Sequence, residues 1–488
     1  MKSYILALWF VLSIIKVHPM SQPSFNDYFI DQTMRVDYHH MGNAEEDISI
    51  DRIYQYGIWA GSLKNLIDAI NFGKYSVKIY DLDSEVLIYS KGFDSYFGEY
   101  QTSSDALTGV KKTYHETALI PYPKNKIRFT IEKRDRKNQL FEIFSTEIDP
   151  NDVVIVKDKV LDSSVKVFKD ENNGDLHTRV DIVILGEGYA LKELNKFQND
   201  FEKFKNIFFN FEPYKSYKDK FNFYAVFKPS EESGVDEPRA NIFKKTSLGL
   251  TFNSLGSERY LLTENNKSVR DMASHIPYDA LMIMVNHSRY GGGGIYNLFS
   301  TFTTDNQWHE YLFLHEFGHS FAGLADEYYT SDVAYNEFFH IDVEPVEPNI
   351  TALINNEAKW EKILSKEIEI PTLWEKELFD SLDLKWQAER QALNDKIAEL
   401  KKNKVSESEI FKAQEDYNLK DKEHSVDVDK FLHNSKYWGR VGAFEGAGYE
   451  SKGLFRPMID CLMFSKGNKP FCKACENAII RMMKSYIE

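Results

Sequence analysis

The residues with the clearest chemical potential are His315-Glu-Phe-Gly-His319. Two histidines four positions apart share one face of a helix, about one turn from each other. Both imidazoles can then reach one zinc ion, and Glu316 lies close enough to act on a water held by that ion. An open catalytic zinc takes three protein ligands and leaves its fourth place to water. Two carboxylates, Asp326 and Glu327, follow just past Gly323. A chain leaving the helix at Gly323 can fold back and offer either one. Asp326 is the expected third ligand, with Glu327 as the alternative. The chemistry predicted is hydrolysis. Zinc lowers the pKa of its water towards ~7 and polarises a carbonyl, while Glu316 takes a proton from the water and passes it to the leaving amine. A structural zinc is the weaker reading, since such sites are usually closed by four Cys or His ligands.

Elements must exist to position these groups. The apolar run Ala280-Leu-Met-Ile-Met-Val285 predicts a strand upstream of the helix, with a glycine turn and a polar entry at Thr304-Asp305 between them. Further back, Val180–Leu185 reads as a buried strand, Lys192–Phe209 as a helix and Phe221–Phe227 as a second strand, a β-α-β start to an α/β domain over residues 170–488. Gly186-x-Gly188 lacks the third glycine of a dinucleotide fingerprint, and Gly291–Gly294 lacks the Lys-Ser/Thr of a phosphate loop. The four glycines suit either a close backbone approach beside the metal or a plain turn. Thr301-Phe-Thr-Thr304 is a candidate edge strand that an extended peptide would join, or else an ordinary buried strand.

Residues 24–160 alternate apolar and polar side chains in short runs between polar turns, which predicts an N-terminal antiparallel β-sandwich. Tyr38-His39-His40 is no metal pair on this reading, because neighbours on a strand point to opposite faces. A charged insertion at about 366–430 carries Trp386, Leu393, Ile397 and Leu400 at helical spacing, and Ser406-Glu-Ser-Glu409 resembles a capping box. Together they predict a protruding helical hairpin with a solvated charged face. Glycines crowd residues 439–453, and Tyr449 and Arg456 there are candidates for steadying substrate or oxyanion. Arg456 pairing with Asp460 is the alternative. Cys475 to Tyr486 reads as a terminal helix.

Composition narrows the function. The chain has 488 residues, enough for two or three domains, and a net charge of −15, which argues against nucleic acid and anionic membranes as partners. Lys2 followed by the apolar run Tyr4 to Ile15 fits a signal peptide within residues 1–22 and is too short to span a bilayer. No later segment reads as transmembrane. Secretion, a periplasm or the cell surface is expected. The three cysteines, Cys461, Cys472 and Cys475, favour a disulfide joining Cys461 to Cys472 or Cys475. No second CxxC completes a four-cysteine zinc site.

The longer string His315-Glu-Phe-Gly-His-Ser-Phe-Ala-Gly-Leu-Ala-Asp-Glu-Tyr328 resembles the active-site signature of the M64 metallopeptidases, the IgA peptidase family. Further pieces agree with it in order: Tyr290 with Gly291–Gly294, Phe444-Glu-Gly-Ala-Gly-Tyr449, Gly453-Leu-Phe-Arg-Pro457, Asp460-Cys-Leu-Met463 and Phe471-Cys-Lys-Ala-Cys475. The resemblance implies a multidomain α+β protein, with an N-terminal β-sandwich followed by a metzincin-like α/β zinc peptidase domain. It implies an apolar floor beneath the metal at Met463, and a substrate such as an immunoglobulin or another host glycoprotein. The charged stretch between Asn349 and Val441 departs from the family pattern. A different reading is a non-catalytic surface protein that binds glycan or protein, with a vestigial zinc site. Intact His315, Glu316 and His319 argue against it.

Overall fold

A computed structural model describes residues 23–158, 162–170, 173–330 and 339–487. The expected signal peptide lies outside the described residues. At the N-terminal end, strands β1 (Phe29–Gly42), β2 (Glu46–Tyr56), β3 (Tyr75–Asp81), β4 (Leu87–Phe93), β5 (Lys112–Pro123), β6 (Ile127–Arg134) and β7 (Leu140–Ile148) form two antiparallel sheets, ordered β2-β1-β5 and β4-β3-β6-β7. Period-two alternation sends Val36 and Tyr38 from one sheet and Val77, Ile79, Phe129 and Ile131 from the other into one shared core. Tyr38 and His40 are buried and His39 half-buried. His40 sits between Glu46 and Glu116, at 2.7 and 3.0 Å, so it is an interior ion-pair residue.

The second half is built on a six-stranded mixed sheet. Its strands are β8 (Lys166–Lys169), β9 (Val180–Glu187), β10 (Phe221–Phe227), β11 (Ala280–Val285), β12 (Gly292–Ile295) and β13 (Phe299–Thr303), in the order β12-β13-β11-β9-β10-β8. The inner four are mutually parallel, and β8 and β12 close the edges antiparallel. Strand β9 is buried throughout because both of its faces are covered. Ile182, Ile184, Phe223 and Phe227 meet Phe197, Phe201, Phe204 and Phe208 of the helix Leu194–Asn210 on one face. Val183, Leu185, Val226 and Ile283 meet Val269 and Met272 of the helix Asn266–Ala273 on the other. The helix His309–Ala322, buried along nearly all its length, packs on the first of these faces beside β12 and β13.

Two sequence expectations are corrected here. Thr301–Thr304 is not an edge strand, because β13 lies between β11 and β12 and is fully buried. The glycine run itself forms the edge, as β12. A Cβ at Gly294 would sit 2.4 Å from the Glu316 carbonyl oxygen and 2.8 Å from His319 Cβ, so only glycine lets this strand press against the site helix. The charged hairpin also does more than protrude. Its helices, Lys376–Lys402 and Glu407–His433, are joined through a capping box at Ser406 and Glu409 and extend past the expected end. Phe379, Val428 and Leu432 enter the main core. Asp421 takes Trp308 Nε1–H at 2.5 Å and Lys466 at 2.9 Å, and Lys401 meets Glu237 at 2.8 Å. The charged face of these helices is therefore not wholly solvated: Asp421, Lys401 and Asp429 are among the residues paired onto the domain beneath. After the hairpin, β14 (Val441–Ala447) and β15 (Glu450–Met458) form a two-stranded sheet, and the helix Lys473–Ile487 closes the chain.

Candidate metal centre

The site helix ends where sequence placed its break. Gly323 adopts φ +61°, the left-handed conformation that terminates a helix and reverses the chain. Reversal brings the Leu324 carbonyl to His319 Nδ1 at 2.6 Å. Asn349 then clamps Ala325, accepting its N–H and donating to its carbonyl, both at 2.8 Å. Asp326 is thereby aimed back at the helix. Its Oδ1 lies 3.0 Å from His315 Nε2 and 3.3 Å from His319 Nε2, and the two Nε2 atoms are 3.1 Å apart.

These three atoms fit a metal. Tetrahedral bonds of about 2.0–2.1 Å place neighbouring ligand atoms about 3.4 Å apart, close to the observed spacing. Each histidine turns its Nδ1 to a backbone carbonyl, His315 to Leu462 at 3.2 Å and His319 to Leu324. An N–H on Nδ1 leaves Nε2 with its lone pair facing the gap. Asp326 Oδ1 is buried without a hydrogen-bond donor, an arrangement that a cation would satisfy. Tyr449 donates its hydroxyl to the other oxygen, Oδ2. Glu327 points the opposite way, its N–H bonded to the Met463 carbonyl at 2.8 Å and its carboxylate turned towards the cysteines. The structure therefore brings together His315, His319 and Asp326, and leaves Glu327 out of this group.

The electrostatics suit an anionic ligand beside a tunable carboxylate. Burial opposes ionisation of Asp326, yet attraction to the adjoining imidazoles, His319 first and then His315, holds it well below the usual carboxylate range. Burial likewise lowers His319, but Asp326 overcomes this and raises it to about 9. Burial pushes Glu316 above its ordinary value, against the pull of the two histidines. A cleft of about 110 Å³ opens over these groups, bordered by Gly292, Gly294, Tyr311, Tyr328 and Tyr449. A larger cavity of about 560 Å³, near Trp59, Tyr89 and Tyr486, is lined by none of the metal-facing residues.

Other candidate residues are distributed unevenly. Met463 lies under the helix, its Sδ 3.1 Å from where a Cβ on Gly318 would be, so Gly318 makes room for it. Tyr449, a candidate for steadying substrate or oxyanion, lines the cleft. Arg456 does not. It is fully buried, donates to the Gly446 and Ile459 carbonyls at 2.7 and 3.4 Å, and lies against Trp374 and Phe464. Its fork is taken up by backbone carbonyls of and beside the β14–β15 hairpin, so it does not reach the cleft to serve an oxyanion. The expected disulfide is also corrected: all three thiols are free, and Cys461 Sγ and Cys475 Sγ stand 3.9 Å apart. Sequence reasoning missed Arg259, whose Nη2 donates to the Tyr328 hydroxyl at 2.8 Å at the rim of the cleft. Tyr328 in turn stacks near the His315 ring, with centroids 6.3 Å apart and planes at 13°. Nothing in the local string Ser257-Glu-Arg-Tyr260 marks this arginine.

A helix carrying two histidines and a glutamate, a carboxylate returned by a tight turn and a mixed sheet beneath define the class as a metallopeptidase. Residues 169–483 match the family described as IgA Peptidase M64, and residues 24–145 match that described as Peptidase M64 N-terminus. The first match covers more than half of the chain, which belongs to the M64 family of metallopeptidases. No curated protein matches it.

Proposed function

We propose that the chain is an exported zinc endopeptidase that hydrolyses peptide bonds of an extracellular protein, an immunoglobulin or another host glycoprotein. The observation that carries this reading is the convergence of His315 Nε2, His319 Nε2 and an orphaned Asp326 Oδ1 at 3.0–3.3 Å beside the buried Glu316. Two imidazoles and one carboxylate are the donor set that suits zinc. Zinc held there supplies Lewis acidity, both to water and to a substrate carbonyl. Glu316 serves as general base: it removes a proton from the attacking water and delivers it to the leaving amine. Burial raises the affinity of its carboxyl for a proton, which suits it to take one from water. Tyr449 holds Asp326 in its ligating orientation. To Arg259, which lines the cleft and donates to Tyr328, we assign the task of meeting negative charge that develops on the carbonyl oxygen. Export rests on the Lys2 and Tyr4–Ile15 pattern. Among the described residues no helix is long and apolar enough to cross a membrane.

The test is digestion of casein and of purified immunoglobulin A, with and without a chelator, by the parent and by Glu316→Gln. The variant is expected to lose about 10²–10⁴-fold in kcat while keeping its zinc. Cleavage by the variant at the parental rate would remove Glu316 from the mechanism, and chelator-insensitive cleavage would remove the metal.

A further inference from the structure

Behind the metal centre lies a second convergence of ligand atoms. Cys461, Cys472, Cys475 and Glu327 are 0–2% exposed, and one ligand atom from each lies within 4.8 Å of all the others. The pairwise spacings are specific: Cys461 Sγ to Cys475 Sγ is 3.9 Å, Cys472 Sγ to Glu327 Oε1 is 3.5 Å, and Cys475 Sγ to Glu327 Oε1 is 3.2 Å. Tetrahedral zinc bonds of about 2.3 Å to sulfur and about 2.0 Å to oxygen would separate two sulfurs by about 3.8 Å and sulfur from oxygen by about 3.5 Å. Glu327 Oε2 is buried and has no hydrogen-bond partner, so the carboxylate is incompletely satisfied by protein groups alone.

We propose that Cys461, Cys472, Cys475 and Glu327 bind a second, structural zinc ion, closed to water and distinct from the one at His315 and His319. Three features beyond spacing support a cation over a disulfide. Backbone amides are aimed at the sulfurs: Cys472 N–H and Met463 N–H reach Cys461 Sγ at 3.1 and 3.4 Å, and Cys475 N–H reaches Cys472 Sγ at 3.4 Å. Such N–H···S contacts favour thiolates, which are the ligating form. Asn349 donates to Glu327 Oε1 at 3.1 Å and so fixes the carboxylate from outside, as supporting residues do around metals. The third feature is the composition of the cluster: any two of the buried sulfurs joined as a disulfide would leave the remaining sulfur and Glu327 unmatched, whereas one ion takes all four ligand atoms. The donor set of three thiolates and a carboxylate selects zinc over calcium or magnesium.

The position gives this ion a task. The segment it would hold, Cys461-Leu462-Met463, supplies the Leu462 carbonyl to His315 and the Met463 carbonyl to the Glu327 N–H. Glu327 directly follows Asp326. One closed site would therefore fix, through backbone, two of the three ligands of the open one. Metal binding releases thiol protons to solvent and needs no oxidant.

Metal analysis decides the matter on the full chain, purified without chelator under reducing conditions. Two zinc equivalents per chain are expected. One is expected in the double variant His315→Ala/His319→Ala, and one in Cys472→Ser. Cobalt replacement should give thiolate-to-cobalt charge-transfer absorption in both the parent and the histidine variant, and the parent spectrum serves as the test even if a variant misfolds. A parent without that band, with another metal on the thiolates, or with an intact mass showing a disulfide among the three cysteines overturns the proposal. If instead the catalytic zinc were absent, parent and histidine variant would each hold one thiolate-bound ion, so the two readings fail in distinguishable ways.

Discussion

At the residue scale, adjacent side chains have opposite assignments. Asp326 and Glu327 are rivals for one position in the sequence, yet the folded chain turns the two neighbours to opposite sides. One faces two imidazoles and the other faces three sulfurs. Support residues are where this scale is most testable. Tyr449 bonds the ligand carboxylate from behind, and it does so from φ +66°, an unfavourable backbone for a tyrosine that the β14–β15 turn imposes. Replacing it by phenylalanine removes only the hydroxyl. Activity or zinc affinity is expected to fall by about 10–100-fold, read from kcat/KM and from competition with a metal indicator. Unchanged values for both would reduce Tyr449 to a packing residue.

Elements decide which charges are buried together. Strand β1 carries His40 into the N-terminal core, stacked on Phe97 at 4.0 Å and paired with Glu46 and Glu116. Burial opposes its ionisation, but the Glu116 and Glu46 carboxylates hold its pKa above the ordinary 6.5. A raised histidine stabilises fully below the unfolded value and loses that contribution as pH rises through the folded one. Burial disfavours the charge on Glu46, yet His40 and Lys133 bring its pKa from 4.5 down to about 2, so its contribution is present above 4.5 and fades towards 2. The two windows overlap between the ordinary values of 4.5 and 6.5. His40→Gln is therefore expected to destabilise the protein most in that range, by about 3 kcal/mol, with the deficit shrinking on the alkaline side. Denaturant titrations at pH 5.5 and pH 9 compare the two; equal deficits would contradict the ion-pair account. The helical hairpin makes the same point at larger size. Its 7-4-3 stripe and capping box were legible, but not the partners of Asp421 and Lys401, since Trp308 and Glu237 lie more than 100 residues away and Lys466 lies 45 away.

Across the whole molecule, the N-terminal sheets and the catalytic domain are joined by a partly buried link. Arg35 on β1 pairs with Asp37 and with Asp271 of the helix Asn266–Ala273, each at 2.7 Å. Arg35 is only 1% exposed. Arg35→Ala would leave Asp37 buried beside one fewer cation, at a cost of about 3–5 kcal/mol. Calorimetry should then show the N-terminal transition separating to lower temperature from the catalytic one. A single transition at the parental temperature would show the two parts to be joined by other contacts. The hairpin sets a wall against the same region as the cleft: Trp386, Arg390 and His424 border a cavity of about 80 Å³ that shares Arg259, Tyr290 and Tyr328 with it.

The chain of residues alone determined what depends on local period and on motif spacing. His315 and His319 had to share a helix face, Gly323 had to end that helix, and β9, β10 and β11 had to be buried strands, because each follows from nearest neighbours along the chain. Tertiary structure decided what depends on which distant segments meet. It made the glycine run an edge strand pressed on the site helix, buried Arg456 away from the cleft, brought Arg259 to its rim and gathered Glu327 with cysteines some 140 residues further on. Local propensity is a sum over neighbours, whereas a ligand cluster is a coincidence of directions fixed only when the sheets, turns and helices have packed.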